Sequence, residues 1–140
     1  MSQINQPRQQ LSQDRLTIMI VEDEQTTRRA LGLLLSTCGY RARSFGSAEE
    51  ALGAIVDGER PRVALVDLDL PGMSGLDLIN QLGSLDPAVQ PILVTATDED
   101  TLFSKLAGRP ITYLRKPIDF EMLLGILAGR QASGANVGDA

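Results

Sequence analysis

Five polar or charged side chains that could form a reactive site lie where apolar runs of the sequence end. They are Glu22 and Asp23 after "LTIMIV", Asp67 at the end of "VALVD", Thr95 at the end of "PILVT", and Lys116 after "ITYLR". Each has an ordinary explanation by itself, because acids open helices and precede turns, and most lysines lie on the surface. Four apolar runs that all end in this way indicate one shared site.

Three carboxylates at such a site would repel one another. At an effective dielectric constant near 20, two like charges about 4 Å apart repel by ~4 kcal/mol. Lys116 supplies one positive charge, so Glu22, Asp23 and Asp67 are neutralised only if a divalent cation joins it. The sequence contains no histidine, and a ligand set of oxygens alone favours a hard ion, Mg²⁺ before others.

A carboxylate beside Mg²⁺, a hydroxyl and an ammonium group is suited to accept a phosphoryl group. The metal and Lys116 would neutralise the oxygens of the transferred group, and the Thr95 hydroxyl could donate to one of them. The absence of histidine excludes a phosphohistidine and histidine-based catalysis within this chain.

The elements that must position these residues follow from the hydrophobic pattern. Four runs, "LTIMIV", "RVALVDL", "PILVTA" and "ITYLRK", are nearly continuous and predict strands buried on both faces, whereas "YRARSF" alternates and predicts an edge strand. Five strand–helix units predict an α/β three-layer sandwich with a parallel sheet. In such sheets ligands bind at the carboxyl ends of the strands, where the five side chains stand.

The helical segments carry their own start and stop signals. "SAEEALGAIVDG" begins with a capping box of Ser47 and Glu50 and stops at Gly58. "EQTTRRALGLLLSTCG" is predicted to form one apolar face, made of Ala30, Leu31, Leu34, Leu35 and Cys38.

Length and composition limit what the chain can be. The 140 residues, 43% hydrophobic, suit one domain over residues 16–130, with a flexible polar arm at 1–15 and a flexible tail or linker start at 131–140. The net charge of −5 disfavours direct binding of nucleic acid. The run "MLLGILAG" is too short to span a bilayer and nothing resembles a signal peptide, so we expect a soluble cytoplasmic protein without a membrane partner.

Four segments together resemble the receiver domain of two-component response regulators, of the chemotaxis-regulator type. They are "IMIVEDE", "VALVDLDLPGMSGLDLI", "ILVTATD" and "TYLRKPID", and the resemblance covers about Leu16 to Arg130. It implies a flavodoxin-like fold, with five helices around a five-stranded parallel sheet of order 2-1-3-4-5. It also implies a phosphoacceptor that promotes its own phosphorylation and dephosphorylation, not an enzyme with a separate substrate.

The resemblance assigns roles to the acids. Asp67 would receive the phosphoryl group from a partner phosphohistidine in a Mg²⁺-dependent reaction. Asp23 and Asp67 would ligate Mg²⁺ directly, Glu22 largely through water, and Asp69 through its backbone carbonyl. Glu22 stands where the family more often has aspartate.

It also assigns the remaining positions. Thr95 and Lys116 would bind the phosphoryl group, and Tyr113 falls at the family's switch aromatic. A switch through Thr95 and Tyr113 would reshape a protein-interaction surface. The Lys116–Pro117 bond would be cis.

The implied partners are a sensor histidine kinase or a histidine phosphotransfer protein as donor, and a downstream protein target or a fused output domain as receiver of the signal. A phosphorylation-dependent dimer is one form that such a contact could take. Whether the chain is a whole single-domain regulator or part of a longer one stays open.

Three other protein classes share part of the pattern. "VDLDLPG" superficially resembles the nucleophile motif of haloacid-dehalogenase-type phosphatases, but there the motif follows the first core strand, and here an acid pair precedes it. A receiver-like module without phosphorylation would not need all the site residues found here. A flavodoxin would need a phosphate-binding loop after the first strand, where "EDEQTT" is acidic.

Overall fold

A computed structural model of the protein describes residues 16–136. The predicted arm at 1–15 and the last residues, 137–140, lie outside this range. Within it, strands and helices alternate along the chain. The strands are β1 (Thr17–Val21), β2 (Arg41–Phe45), β3 (Val63–Asp67), β4 (Gln90–Thr95) and β5 (Thr112–Arg115). The helices are α1 (Gln25–Thr37), α2 (Ala48–Val56), α3 (Gly75–Leu85), α4 (Glu99–Leu106) and α5 (Phe120–Asn136).

The five strands form one parallel sheet in the order β2-β1-β3-β4-β5. This is the predicted order, and "YRARSF" contributes the predicted edge strand. The register places Val21 beside Val66, Asp67 beside Val94 and Thr95 beside Arg115. The carboxyl ends of β1, β3 and β4 therefore end at one edge of the sheet.

Helices cover both faces of the sheet, because successive strand side chains point to opposite sides. Met19 and Val21 of β1 pack into a cluster with residues of α2, α3 and α4, whereas Ile18 and Ile20 pack with residues of α1 and α5. Two aliphatic cores on the two faces of one parallel sheet make the predicted flavodoxin-like three-layer sandwich.

The helix starts follow local chemistry. The Ser47 hydroxyl accepts a hydrogen bond from the backbone N–H of Glu50 at 3.1 Å and donates one to the Glu50 carboxylate, also at 3.1 Å. The N-cap bond predicted at α2 is therefore present, but the Glu50 carboxylate accepts from the Ser47 hydroxyl and not from the Ser47 backbone N–H that defines a full capping box. The apolar face of α1 is narrower than predicted: Leu31 and Leu35 are buried, whereas Ala30 is exposed. Sequence spacing alone did not show how little of α1 the sheet covers.

Helix α5 continues beyond the boundary expected at residue 130. The flexible tail was predicted to begin at residue 131, yet the helix runs through Asn136. Loss of apolar periodicity suggested the earlier end, but "QASGAN" contains no proline that would stop the helix. Arg130 ties α5 to the sheet, where its guanidinium donates to the Gln90 side chain and, at 2.7 Å, to the Thr112 hydroxyl. No helix in the described part of the chain is long and apolar enough to cross a membrane.

Candidate phosphoacceptor and metal site

Three polar side chains are buried at the carboxyl edge of the sheet. Glu22 is 3% exposed, Asp67 4% and Thr95 0%. No other polar or charged side chain in the described part of the chain is buried. They follow or end β1, β3 and β4. Burial of a charged group is costly unless it is paired, so their partners determine what the site can do.

The three predicted acids come together. Carboxylate oxygens of Glu22, Asp23 and Asp67 all lie within 4.8 Å of one another. Asp23 is exposed, so the cluster opens to solvent on one side. Its donor set is oxygen alone, which is the chemistry that Mg²⁺ prefers. The fourth predicted ligand, Asp69, lies beside the cluster: its side chain is exposed, and its backbone N–H donates to Oδ1 of Asp67 at 2.9 Å.

Lys116 enters this cluster from the loop after β5. Its Nζ lies 2.9 Å from Oδ2 of Asp67 and 3.3 Å from Oε1 of Glu22. Its backbone N–H donates to the carbonyl of Thr95 at 2.8 Å, which holds the loop against β4. The Lys116–Pro117 peptide is cis, as expected.

One ammonium group, which pairs with two of the three acids, leaves the site short of positive charge. Burial raises the pKa of the Glu22 carboxyl, and the Asp67 charge raises it further, against the lowering effects of the Glu24 N–H and Lys116. Burial by itself would lower the pKa of Lys116, but its hydrogen bond to Asp67 and the charges of Asp67 and Glu22 outweigh this and raise it. A divalent cation would relieve the same repulsion that favours protonation of Glu22.

Thr95 lies on β4, which pairs with β3 in the sheet. Its Oγ1 accepts a hydrogen bond from the N–H of Thr97 at 2.9 Å, so its own hydroxyl hydrogen remains to be donated elsewhere. Tyr113, the predicted switch residue, is not in the acid cluster. It is half-buried on β5 opposite Leu93 and packs edge-to-face against Phe103, with 6.2 Å between ring centroids.

Gly75, the first residue of α3, is a site residue that the sequence did not reveal. A Cβ at this position would lie 2.2 Å from the carbonyl oxygen of Asp67 and 2.8 Å from Cα of Leu68. Its N–H donates to the Leu68 carbonyl at 3.0 Å. A glycine just after the serine N-cap of a helix was the only signal in the sequence, and its meaning depends on which segment the helix start touches.

Comparison with known proteins places this geometry in a family. The sequence model of the family described as the response regulator receiver domain matches residues 18–128. A protein of Pseudomonas aeruginosa named two-component response regulator PhoP is 36% identical over 110 residues, which cover 77% of this chain and 48% of that protein. A Thermotoga maritima protein named cyclic di-GMP phosphodiesterase is 34% identical over 110 residues, covering 77% of this chain and 29% of that protein.

The solved structures give the same result. A CheY-like response regulator receiver domain protein from Methanospirillum hungatei superposes with a TM-score of 0.73 at 29% identity, covering 85% of this chain and 95% of that one. The present chain spans about half or less of the two curated relatives described above. With a match over residues 18–128 and the receiver strand order, the chain belongs to the response regulator receiver domain family of two-component systems.

Proposed function

We propose that this chain accepts a phosphoryl group on Asp67 from a phosphohistidine of a separate protein, in a Mg²⁺-dependent reaction, and thereby switches a protein-binding surface. The observation that carries the proposal is the setting of Asp67. Its carboxylate is almost fully buried, is bonded by Lys116 at 2.9 Å, and belongs to a cluster with two further acids. A phosphodonor would approach Asp67 from the side of the cluster where Asp23 is exposed.

In the proposed step an Asp67 carboxylate oxygen attacks phosphorus. The new O–P bond forms as the P–N bond to the donor imidazole breaks, and the released imidazole nitrogen takes up a proton from solvent. Lys116, released from part of its bond to Asp67, would pair with a phosphoryl oxygen, and the Thr95 hydroxyl would donate to another. Mg²⁺, held by Asp23 and Asp67 with Glu22 and the Asp69 carbonyl nearby, would supply the positive charge that these side chains lack.

The signal would leave through Tyr113. Thr95 lies on β4 two residues beyond Leu93, the neighbour of Tyr113 on β5. Movement of the Thr95 hydroxyl towards a phosphoryl group would vacate space that the Tyr113 ring can fill. The ring lines two surface clefts, of about 290 Å³ and about 430 Å³, so its rotation would reshape both.

Phe103 lines the first of these clefts and Met122 the second, and Phe120 begins the helix that carries Met122. Phe103 of α4, Phe120 and Met122 of α5 are each 44–55% exposed. We propose this face, formed by α4, β5 and α5, as the contact for the downstream partner, whether a separate protein, a fused output domain or a second copy. The donor would be a sensor histidine kinase or histidine phosphotransfer protein in the cytoplasm, and we propose no turnover on a separate substrate.

The test is phosphorylation by a small donor. With Mg²⁺ and acetyl phosphate, intact-mass measurement should show one acid-labile phosphoryl group on the wild type. Asp67→Asn should show none, because an amide is a poor nucleophile. Asp77→Asn is the matched control: it removes an exposed carboxylate in the first turn of α3, outside the acid cluster, and the variant should still be phosphorylated. Equal phosphorylation of the Asp67→Asn protein would refute the proposal, and a wild type that stays unmodified would indicate a module that works without phosphorylation.

A further inference from the structure

One arginine holds the backbone of the loop that carries two of the three acids. Nη1 of Arg28, in α1, donates hydrogen bonds to the carbonyl of Glu22 at 2.8 Å and to the carbonyl of Asp23 at 3.2 Å. We propose that Arg28 is a positioning residue for the metal site, because it orients the peptide units from which the Glu22 and Asp23 carboxylates project. This inference rests on the proposed Mg²⁺-dependent function.

The two acids differ in how much else holds them. The N–H of Glu22 donates to the Phe45 carbonyl at 3.1 Å, and its carboxylate accepts from the N–H of Glu24 at 3.0 Å and from Lys116. Asp23 is exposed, so its carboxylate depends on the backbone for its direction. The Arg28 bond to the Asp23 carbonyl fixes that backbone, so Asp23 should be the acid more affected by loss of Arg28.

The chain leaves room for this guanidinium at Gly46, the residue that follows β2. A Cβ at position 46 would lie 3.3 Å from Nη1 and 3.6 Å from Cζ of Arg28, and 3.6 Å from the Glu50 carboxylate. Gly46 is not among the glycines with positive φ, so alanine suits its backbone. Gly46→Ala therefore should displace the guanidinium by a few tenths of an ångström while every charge is kept.

Positioning and electrostatics predict opposite effects when Arg28 is removed. A cation near a cation site repels the bound ion, so loss of its charge alone would tighten Mg²⁺ binding. Loss of a group that orients the ligands would weaken Mg²⁺ binding. Removal of a side chain that orients metal ligands typically lowers the metal affinity by about 10–100-fold. The sign of the change in affinity therefore separates the two roles.

The experiment measures Mg²⁺ affinity of the metal-free protein by isothermal titration calorimetry, with no phosphodonor present. Arg28→Ala should weaken binding by about tenfold, and Gly46→Ala by a smaller factor, because the arginine is displaced but still present. Arg29→Ala is the matched control, because it removes the same charge from the adjacent, exposed position. It should leave the affinity unchanged or slightly tighter.

Far-UV circular dichroism and urea unfolding without Mg²⁺ show whether each variant is folded. If Arg28→Ala does not fold, Gly46→Ala tests the positioning role with the arginine still present. The inference would be overturned if Arg28→Ala bound Mg²⁺ at least as tightly as the wild type, or if Gly46→Ala did so where Arg28→Ala does not fold. Either result would leave the proposed function intact. A wild type that binds no Mg²⁺ would overturn both.

Discussion

Replacement of Gly75 by alanine should displace Asp67, the proposed phosphoacceptor, without changing any charged group. The added Cβ would lie 2.2 Å from the Asp67 carbonyl oxygen, 2.8 Å from Cα of Leu68 and 2.9 Å from the carbonyl carbon of Asp67. All three atoms are backbone, so no side chain can rotate away. Ordinary contacts begin at 3.4 Å, so α3 and the end of β3 must separate by more than an ångström at the closest point.

The cost follows from this geometry. Overpacking in a well-packed interior typically costs about 1–3 kcal/mol, and contacts with backbone belong at the upper end. Alanine recovers about 0.5–1 kcal/mol because it restricts the unfolded chain more than glycine does. We therefore expect Gly75→Ala to lower the free energy of unfolding by about 2 kcal/mol. Displacement of Asp67 by about 1 Å should also slow its phosphorylation by up to about 100-fold.

Gly83 offers a control in the same helix. It is exposed, and a Cβ there would meet nothing within 4 Å. Gly83→Ala should therefore raise the free energy of unfolding by about 0.5–1 kcal/mol and leave phosphorylation unchanged. Urea titrations followed by circular dichroism and acetyl phosphate time courses followed by intact mass measure both effects. A Gly75→Ala protein as stable and as reactive as Gly83→Ala would refute the reasoning.

Two further predictions concern the metal and the switch. Asp23→Asn should raise the free energy of unfolding of the metal-free protein by about 1 kcal/mol, because it relieves repulsion at a solvent-exposed position, and should abolish most of the stabilisation by Mg²⁺. Urea titrations with and without Mg²⁺ measure both, and equal Mg²⁺ stabilisation of the two proteins would contradict a metal site at the acid cluster. Thr95→Ala should leave Asp67 phosphorylatable but remove the change in partner affinity, or in dimerisation, that beryllofluoride produces in the wild type. Sedimentation or titration with and without beryllofluoride tests this, and an unaltered affinity ratio would exclude the route through Thr95 and Tyr113.

The sequence alone was enough to predict which residues meet at the acid cluster. Glu22, Asp23, Asp67 and Lys116 each follow or end a run of apolar residues, and parallel strands bring their carboxyl ends to one edge. Buried strands are recognised as runs of apolar residues, so the fold class could be predicted from the local sequence. The same runs predicted that the site lies at the edge of the sheet where the strands end. The strand order could not be predicted in this way, since periodicity does not say which strands pair, and it came from resemblance to a family.

Only the tertiary structure showed which residues support that cluster. Gly75 differs locally from Gly83 only in its place directly after the Ser74 N-cap, and Arg28 and Arg29 are adjacent residues of one helix. What separates the members of each pair in function is the segment that they contact: the Asp67 backbone for Gly75, and two loop carbonyls for Arg28. Contacts between segments distant in sequence depend on how the helices are seated on the sheet. That seating is set by packing summed over the whole core, and no short stretch of sequence encodes it.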